Sequence, residues 1–563
     1  MRYEDIVYAR PDVDAVCKAL KAMEARVASA SCATEQLDCL KEAQIAISGA
    51  STTLGLGQLR YFQDTADPKR AQEMDYIGQN APKLELAIQS LHRALANSPF
   101  RGELSASLGA FFFERAEADA LLADEALLPL LSEEQEIVQR YLALTGQAAV
   151  TYEGREIPLS AMTVHYADPD RARRREAMRT VNAWYEQNAQ ELDALFDGLV
   201  RNRTEQAHKL GYQSYTDMRY AQRFGYGRAQ VETFRAQVLK KWVPLVCEVK
   251  QRQRDRLGVP TFRIYDSALS FADGNPRLLL TGDALVRAAG DAFRQIGEEP
   301  GAYFDSLRER HMFDLDDRKG KAAYDGFCIE LEDYDADFIF GHFIGDHMDL
   351  EVLVHEFGHA FASSIARRNP AIPYALRNGT QDVAETHSKT MELLARPYLA
   401  PFFSPEDLRK YLLKQIEYVV GFISSICVGD AFQHEIYDCP QMTPTERNAA
   451  YERIYRQYNP FFDYSDLPFS SWGAMWQDTS VIYAMPFYYI DYALAQTQAL
   501  LFYAESLRRP QEAWARYLRF VGSAGTRSFT DTVRHCGLLS PFDDTCFDTL
   551  TALCRQQLDE LRF

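Results

Sequence analysis

The chain has 563 residues, 47% of them hydrophobic and 25% charged, with a formal net charge of −19. That composition suits a folded globular protein of roughly two to four domains and excludes a disordered one. The acidic excess argues against a non-specific nucleic-acid binder, which needs clustered Lys and Arg against phosphate.

The opening MRYEDIVYARPDVDAV has no apolar run of the kind a secretory leader needs. The ten cysteines include no C-x-x-C pair. They read as reduced thiols, and a cytoplasmic location is expected. Apolar positions at three- and four-residue spacing predict helices over 11–47, 71–97, 113–146 and 168–210. The last of these opens on Asp168-Pro169-Asp170, with proline near the first turn. Residues 147–159 predict a hairpin turning at Glu153-Gly154. Turn residues cluster from Ser160 to Asp170, which divides a helical region 1–160 from a second domain 161–563. Short aromatic and β-branched runs over 323–341 predict the main strands. Helices are predicted over 349–368, closed by Pro370 and Pro373, and over 380–399. Residues 485–504 are about long enough to span a bilayer. Asp491, Gln496 and Gln498 interrupt them, so they read as a buried helix with a polar side, and no membrane partner is expected.

The chemistry is concentrated in His355-Glu356-Phe357-Gly358-His359. Two His at i and i+4 share one helical face, with Cβ atoms about 6 Å apart. That suits two imidazoles meeting one tetrahedral Zn²⁺. Glu356 flanks the metal position without binding it and is placed to move a proton from the attacking water. The flanks LV and AFA make the helix largely apolar, and buried His need partners. A third ligand must come from elsewhere, and the helix 380–399 offers Asp382, Glu385, His387 and Glu392. Glu385 and Glu392 are seven apart and share a face, so one can bind the metal while the other holds a ligand His. Asp382 reads as more solvated than Glu392, which sits in the apolar run MELLA. Spacing alone does not choose between Glu385 and His387.

These residues, HEFGHAF followed by DVAETHSKTMEL, resemble the oligoendopeptidase F and thimet oligopeptidase family, with the oligoendopeptidase F branch the nearer. MFDLDDRKGKAAYDGFC (312–328), GDAFQHEIY (429–437), YNPFFDY (458–464) and PFYYIDYALAQ (486–496) extend the resemblance to about residues 160–563. The resemblance implies a zincin-like, mostly α fold: two helical halves flanking a deep channel, with a small β-sheet beside the HExxH helix. It implies one Zn²⁺ per chain held by His355, His359 and Glu385, with Glu392 behind them. It implies an endopeptidase acting on short unfolded peptides, and a monomer is expected. Backbone around Phe338 to Asp346, including Gly341, His342 and Gly345, is expected to meet the substrate as an added strand would. Tyr488 and Tyr492, four apart and read as sharing a helical face, are expected to donate to the carbonyl oxygen as it becomes negative, with Tyr489 as a further substrate contact.

The chain departs from that family on the substrate side. A His expected five residues before Pro486 is Val481. The run usually read F-x-N-F-N-G-T is Phe340-Gly341-His342-Phe343-Ile344-Gly345-Asp346, and an expected Gly-Gly is Asp325-Gly326. His342 or His347 is a candidate replacement donor. The departures motivate a second reading, a hydrolase with one dedicated substrate. A zinc-containing peptide binder without activity is the third, and Glu356 argues against it.

Overall fold

The computed structural model describes residues 1–122, 127–322, 326–369, 372–467 and 473–563. The predicted mostly α fold is what it shows: long helices with a two-stranded and a three-stranded sheet. The chain forms two compact units. One comprises Met1–Ala123, Arg277–Leu408 and Gln498–Leu539, and the other Asp124–Pro276, Arg409–Thr497 and Ser540–Phe563. All ten cysteines are free.

In the first unit, helices Val13–Ser29, Ala33–Gln63 and Pro68–Ala96 bury one apolar stripe each. Val13, Leu20 and Val27 on the first meet a core that includes Ile47, Leu54, Leu84 and Leu91. The predicted single helix 11–47 is broken at Ala30–Cys32. Ala30 and Cys32 are extended, and the Ser31 backbone N–H donates to Glu35 Oε2 at 2.7 Å, which starts a new helix. The predicted 113–146 is seen as Ala110–Leu122 and Leu128–Gly146, with 123–126 outside the described residues.

The three-stranded sheet has Ala336–Phe343 in the centre, parallel to Phe313–Asp316 and antiparallel to Gly326–Leu331. Its centre is buried from Ala336 to Gly341, which explains the continuous apolar run. The strand Phe313–Asp316 is too short and too acidic to show in the sequence pattern. The sheet backs the helix His347–Arg367, capped at its start by the Asp346 side chain accepting from the Met348 N–H at 2.8 Å. At the other end Arg367, buried, donates to Asp337 at 2.7 Å and Glu330 at 3.2 Å on the sheet. This fixes the helix along its whole length. Of the two prolines expected to close it, Pro370 lies outside the described residues; Pro373 follows the helix end.

The helix Gln381–Leu394 stops five residues short of the prediction. Pro397 lacks an N–H and disfavours helical backbone before it, so the chain tightens into a 3₁₀ turn at Arg396–Tyr398.

In the second unit, strands Ala149–Tyr152 and Arg155–Pro158 pair around Glu153 and Gly154, both at positive φ (50° and 75°), as a two-residue hairpin requires. Helix Arg171–Lys209 begins where predicted, with Asp170 as its cap. Helix Pro405–Asp438 is long and apolar enough to cross a membrane, but 67% of its apolar window is buried inside the fold. Within 485–504 the helix starts only at Ile490 and runs on to Ser506. Asp491 there is buried against Arg223 and accepts from the Tyr226 hydroxyl at 3.0 Å, and Gln496 and Gln498 are buried too. It is a core helix.

Candidate metal centre

The helix His347–Arg367 presents His355 and His359 on one face, with ring Nε2 atoms 3.2 Å apart. Between them in sequence, Gly358 lets the second helix approach. A Cβ there would lie 2.7 Å from Ser388 Cα and 3.1 Å from Met391 Cβ. That close approach brings Glu385 Oε2 to 3.5 Å from His355 Nε2, and Glu385 Oε1 to 4.0 Å from His359 Nε2. One ligand atom each from His355, His359 and Glu385 all fall within 4.8 Å of one another.

Glu385 is itself held. Gln381 Nε2 donates to its Oε1 at 2.8 Å, and Ser388 Oγ lies 3.4 Å from its Oε2. Glu392 Oε1 sits 2.6 Å from His355 Nδ1 and also accepts from Lys389 Nζ at 2.9 Å. With Nδ1 donating to Glu392, the His355 Nε2 lone pair faces Glu385 and His359. Burial and the Lys389 ammonium lower His355, and they push His359 down to about 4. Both imidazoles are therefore neutral at pH 7, as metal ligation requires. Burial alone would raise Glu392, but Lys389 and His355 overcome it and hold the carboxyl low.

Glu356 is buried beside this cluster and outside it. Burial, then the Glu385 carboxylate, push it up to about 8, with Lys389 acting the other way. Gly326, on the sheet's edge strand, packs on it. A Cβ at 326 would overlap Val352 and lie 3.4 Å from Glu356 Oε1.

The alternative third ligand turns away. His387 is buried with its ring edge-on to Phe520, and burial pushes it down to about 3. Asp382 is not solvated as its position suggested. It is buried at the helix start, bonded by Thr380 and by the Val383 N–H at 2.9 Å. The supporting roles of Gln381 and Lys389 went unread, although i,i+4 to Glu385 and i,i+3 to Glu392 are the spacings that signal them.

The substrate-side residues are placed as follows. Ile339 and Phe340 have strand partners on both sides, Phe338 and Gly341 on the Gly326–Leu331 side and Phe343 on the Phe313–Asp316 side; Phe313–Asp316 and Gly326–Leu331 are the sheet's two edge strands among the described residues. Gly345 is at φ 90° and its N–H donates to Asp349 Oδ2 at 2.7 Å. His342 Nε2 lies 2.9 Å from Asp317 Oδ1, and His347 is buried at the head of the metal helix. Of the gapped Gly-Gly pair, Asp325 lies outside the described residues. Tyr488 precedes the helix that Tyr492 belongs to, because Pro486 and Phe487 (φ 64°) break the backbone there. Their hydroxyls nevertheless meet at 2.9 Å. Val481, Tyr488, Tyr489 and Tyr492 line one cavity.

Residues 164–271 and 302–550 match the description Peptidase family M3, and residues 3–122 match Peptidase M3 N-terminal domain. The chain belongs to peptidase family M3. This M3 peptidase is 25% identical over 276 residues to Oligopeptidase PepF of Bacillus subtilis (strain 168), an alignment covering 47% of the chain and 39% of that relative. The solved structure of PZ peptidase A with inhibitor 2 superposes with a TM-score of 0.91 at 32% identity, covering 99% of both chains. A structure assigned as oligoendopeptidase F from Bacillus anthracis str. Ames gives 0.87 at 29% identity, over 100% of this chain and 98% of that one. The resemblance read from the motifs is thus to the right family.

Proposed function

We propose that this M3 peptidase is a zinc-dependent endopeptidase that hydrolyses short unfolded peptides, with one Zn²⁺ per chain. The observation that carries the reading is the convergence of His355, His359 and Glu385, with Glu356 buried beside them. Two neutral imidazoles and a carboxylate, one imidazole backed by Glu392, are a donor set suited to Zn²⁺ with a position left for water. When bound, zinc supplies Lewis acidity toward that water and the scissile carbonyl. Glu356 accepts the water's proton and passes it to the leaving amine. Tyr488 and Tyr492, bonded to each other, are the phenols that stabilise the carbonyl oxygen as it becomes negative. Gly341, His342, Gly345 and Tyr489 are the proposed substrate contacts. The chain acts as a cytoplasmic monomer, with no nucleic-acid or membrane partner.

A second reading, a hydrolase with one dedicated substrate, is favoured by Val481, an aliphatic side chain in the cavity that the tyrosines line.

The test is a mixed peptide library digested by wild type and Glu356→Gln, each carrying one zinc, with products read by mass spectrometry. Cleavage at many sites by wild type alone is expected. Zinc bound with no cleavage by wild type would overturn the general peptidase in favour of the dedicated hydrolase.

A further inference from the structure

The second unit contains a cavity of about 480 Å³ whose walls are aromatic and aliphatic: Phe422, Tyr451, Tyr455, Tyr489, Ile426 and Ile482 among them. One carboxylate opens into it, Asp478. Its hydrogen bond within the structure is from the adjacent Thr479 hydroxyl, at 3.3 Å. Among the described residues no Lys or Arg lies within ion-pairing distance of it. The other carboxylates nearby are matched: Asp193 accepts from Gln477 and faces Arg447, and Asp491 pairs with Arg223. Asp478 is a solvent-exposed carboxylate on an otherwise largely apolar wall, with no cationic side chain among the described residues against it.

The backbone that carries Asp478 is fixed from both sides. Trp476 is fully buried, with its indole N–H on Asn448 at 2.9 Å. Gln477 donates to Asp193 at 2.9 Å, and the Gln477 carbonyl accepts from Tyr141 at 3.1 Å. The backbone that presents the carboxylate is therefore held in place on both sides of Asp478. The rings around it feel its charge: burial first, then Asp478, push up the phenols of Tyr166, Tyr185, Tyr455 and Tyr489. A carboxylate among tyrosine faces suits an ammonium or guanidinium, which gains both the ion pair and the ring quadrupoles. The adjoining cavity, which shares Phe422, Ser425 and Tyr455, has the opposite polarity. Lys250 and Lys414 line it, and its Glu417 is taken by Arg256. A cationic group is repelled there and drawn to Asp478.

We infer that the Asp478 cavity is a substrate subsite that selects a basic group, a Lys or Arg side chain or the free amino terminus, on the peptide. This rests on the peptidase reading above, because the same cavity holds Tyr488 and Tyr492.

The experiment uses zinc-loaded full-length protein and a set of short peptides identical but for Lys, norleucine or Glu scanned through each position, with free and acetylated amino termini. Competition kcat/KM values are read for wild type, Asp478→Asn and Asp478→Lys. At one position wild type should prefer the basic peptide over its neutral partner by about tenfold or more, an ion pair with a ring contact. Asp478→Asn should bring that ratio to near one, and Asp478→Lys should invert it in favour of Glu. A separate measurement keeps the two readings apart. Calorimetric binding of the Lys and norleucine peptides to Glu356→Gln, with and without Asp478→Asn, reports the subsite whether or not wild type cuts anything. Absence of cleavage would count against the peptidase reading alone. A basic-to-neutral ratio that Asp478→Asn leaves unchanged in both assays would overturn the subsite, as would a wild type with no preference for basic groups in either.

Discussion

His355 Nδ1 lies 2.6 Å from Glu392 Oε1, seven residues and two helical turns beyond the ligand candidate Glu385. This bond fixes which imidazole nitrogen points into the metal site. Glu392→Gln keeps the size of the side chain and removes the charge. Loss of such a carboxylate partner usually lowers metal affinity about 10–100-fold. We expect a drop of that order in competition with a chromophoric chelator, with the helical circular dichroism unchanged. An unchanged zinc affinity would show that Glu392 serves only Lys389.

Gly358 is the residue that lets Glu385 and Glu392 reach the histidines. Ala is the better helix former by about 1 kcal/mol. Here its Cβ would press on the backbone of Ser388 at 2.7 Å, which cannot move without carrying Glu385 with it. Overpacking of this kind costs about 1–3 kcal/mol. Gly358→Ala should therefore lower the urea midpoint and weaken zinc binding together. A variant that gains stability and keeps its zinc would mean the two helices can separate freely.

Why was His355-Glu356-x-x-His359 legible when the third ligand was not? The pair is local: 3.6 residues per turn places i and i+4 together whatever the fold does. Glu385 against His387 depends on how the second helix rolls about its axis, and that is decided at a distance, by Gly358 below and Phe520 beside it. The hairpin at Glu153-Gly154 was legible for the same local reason. The strand Phe313–Asp316 was not, because its place in the sheet comes from parallel pairing with a strand more than twenty residues away. Asp382 misled because it lacks the apolar run that flanks Glu392, and here the helix is buried almost throughout. Tyr488 and Tyr492 meet as spacing suggested, but by way of a broken backbone at Phe487 and not along a helix.

That meeting gives a kinetic prediction. Tyr488→Phe and Tyr492→Phe each remove one hydroxyl from the pair and keep both rings. A donor to the developing oxyanion is worth about 10²–10³ in kcat, with KM little changed. One of the two variants should show that pattern in steady-state assays, and the other a smaller loss from misplacing its neighbour. Two variants with raised KM and intact kcat would assign both phenols to substrate binding.

Glu356 should leave a signature in stability against pH once the protein is stripped of metal with a chelator. Its carboxyl is pushed up to about 8 by burial and Glu385, so the folded chain holds that proton more tightly than the unfolded chain does. The resulting stabilisation is complete below the unfolded value, about 4.5, and is lost as pH climbs through about 8. His355 and His359 work in the opposite sense. Their lowered values make stability rise with pH, and that rise is finished above the unfolded value of about 6.5. Between pH 6.5 and 8.5 the falling contribution of Glu356 is therefore separable. Urea unfolding across that window should show wild type losing stability faster than Glu356→Gln, by at most about 1.4 kcal/mol per pH unit. Parallel pH profiles would mean that Glu356 is ionised in the folded chain at neutral pH, and its capacity to hold a proton for the leaving amine would then have to come from the bound substrate.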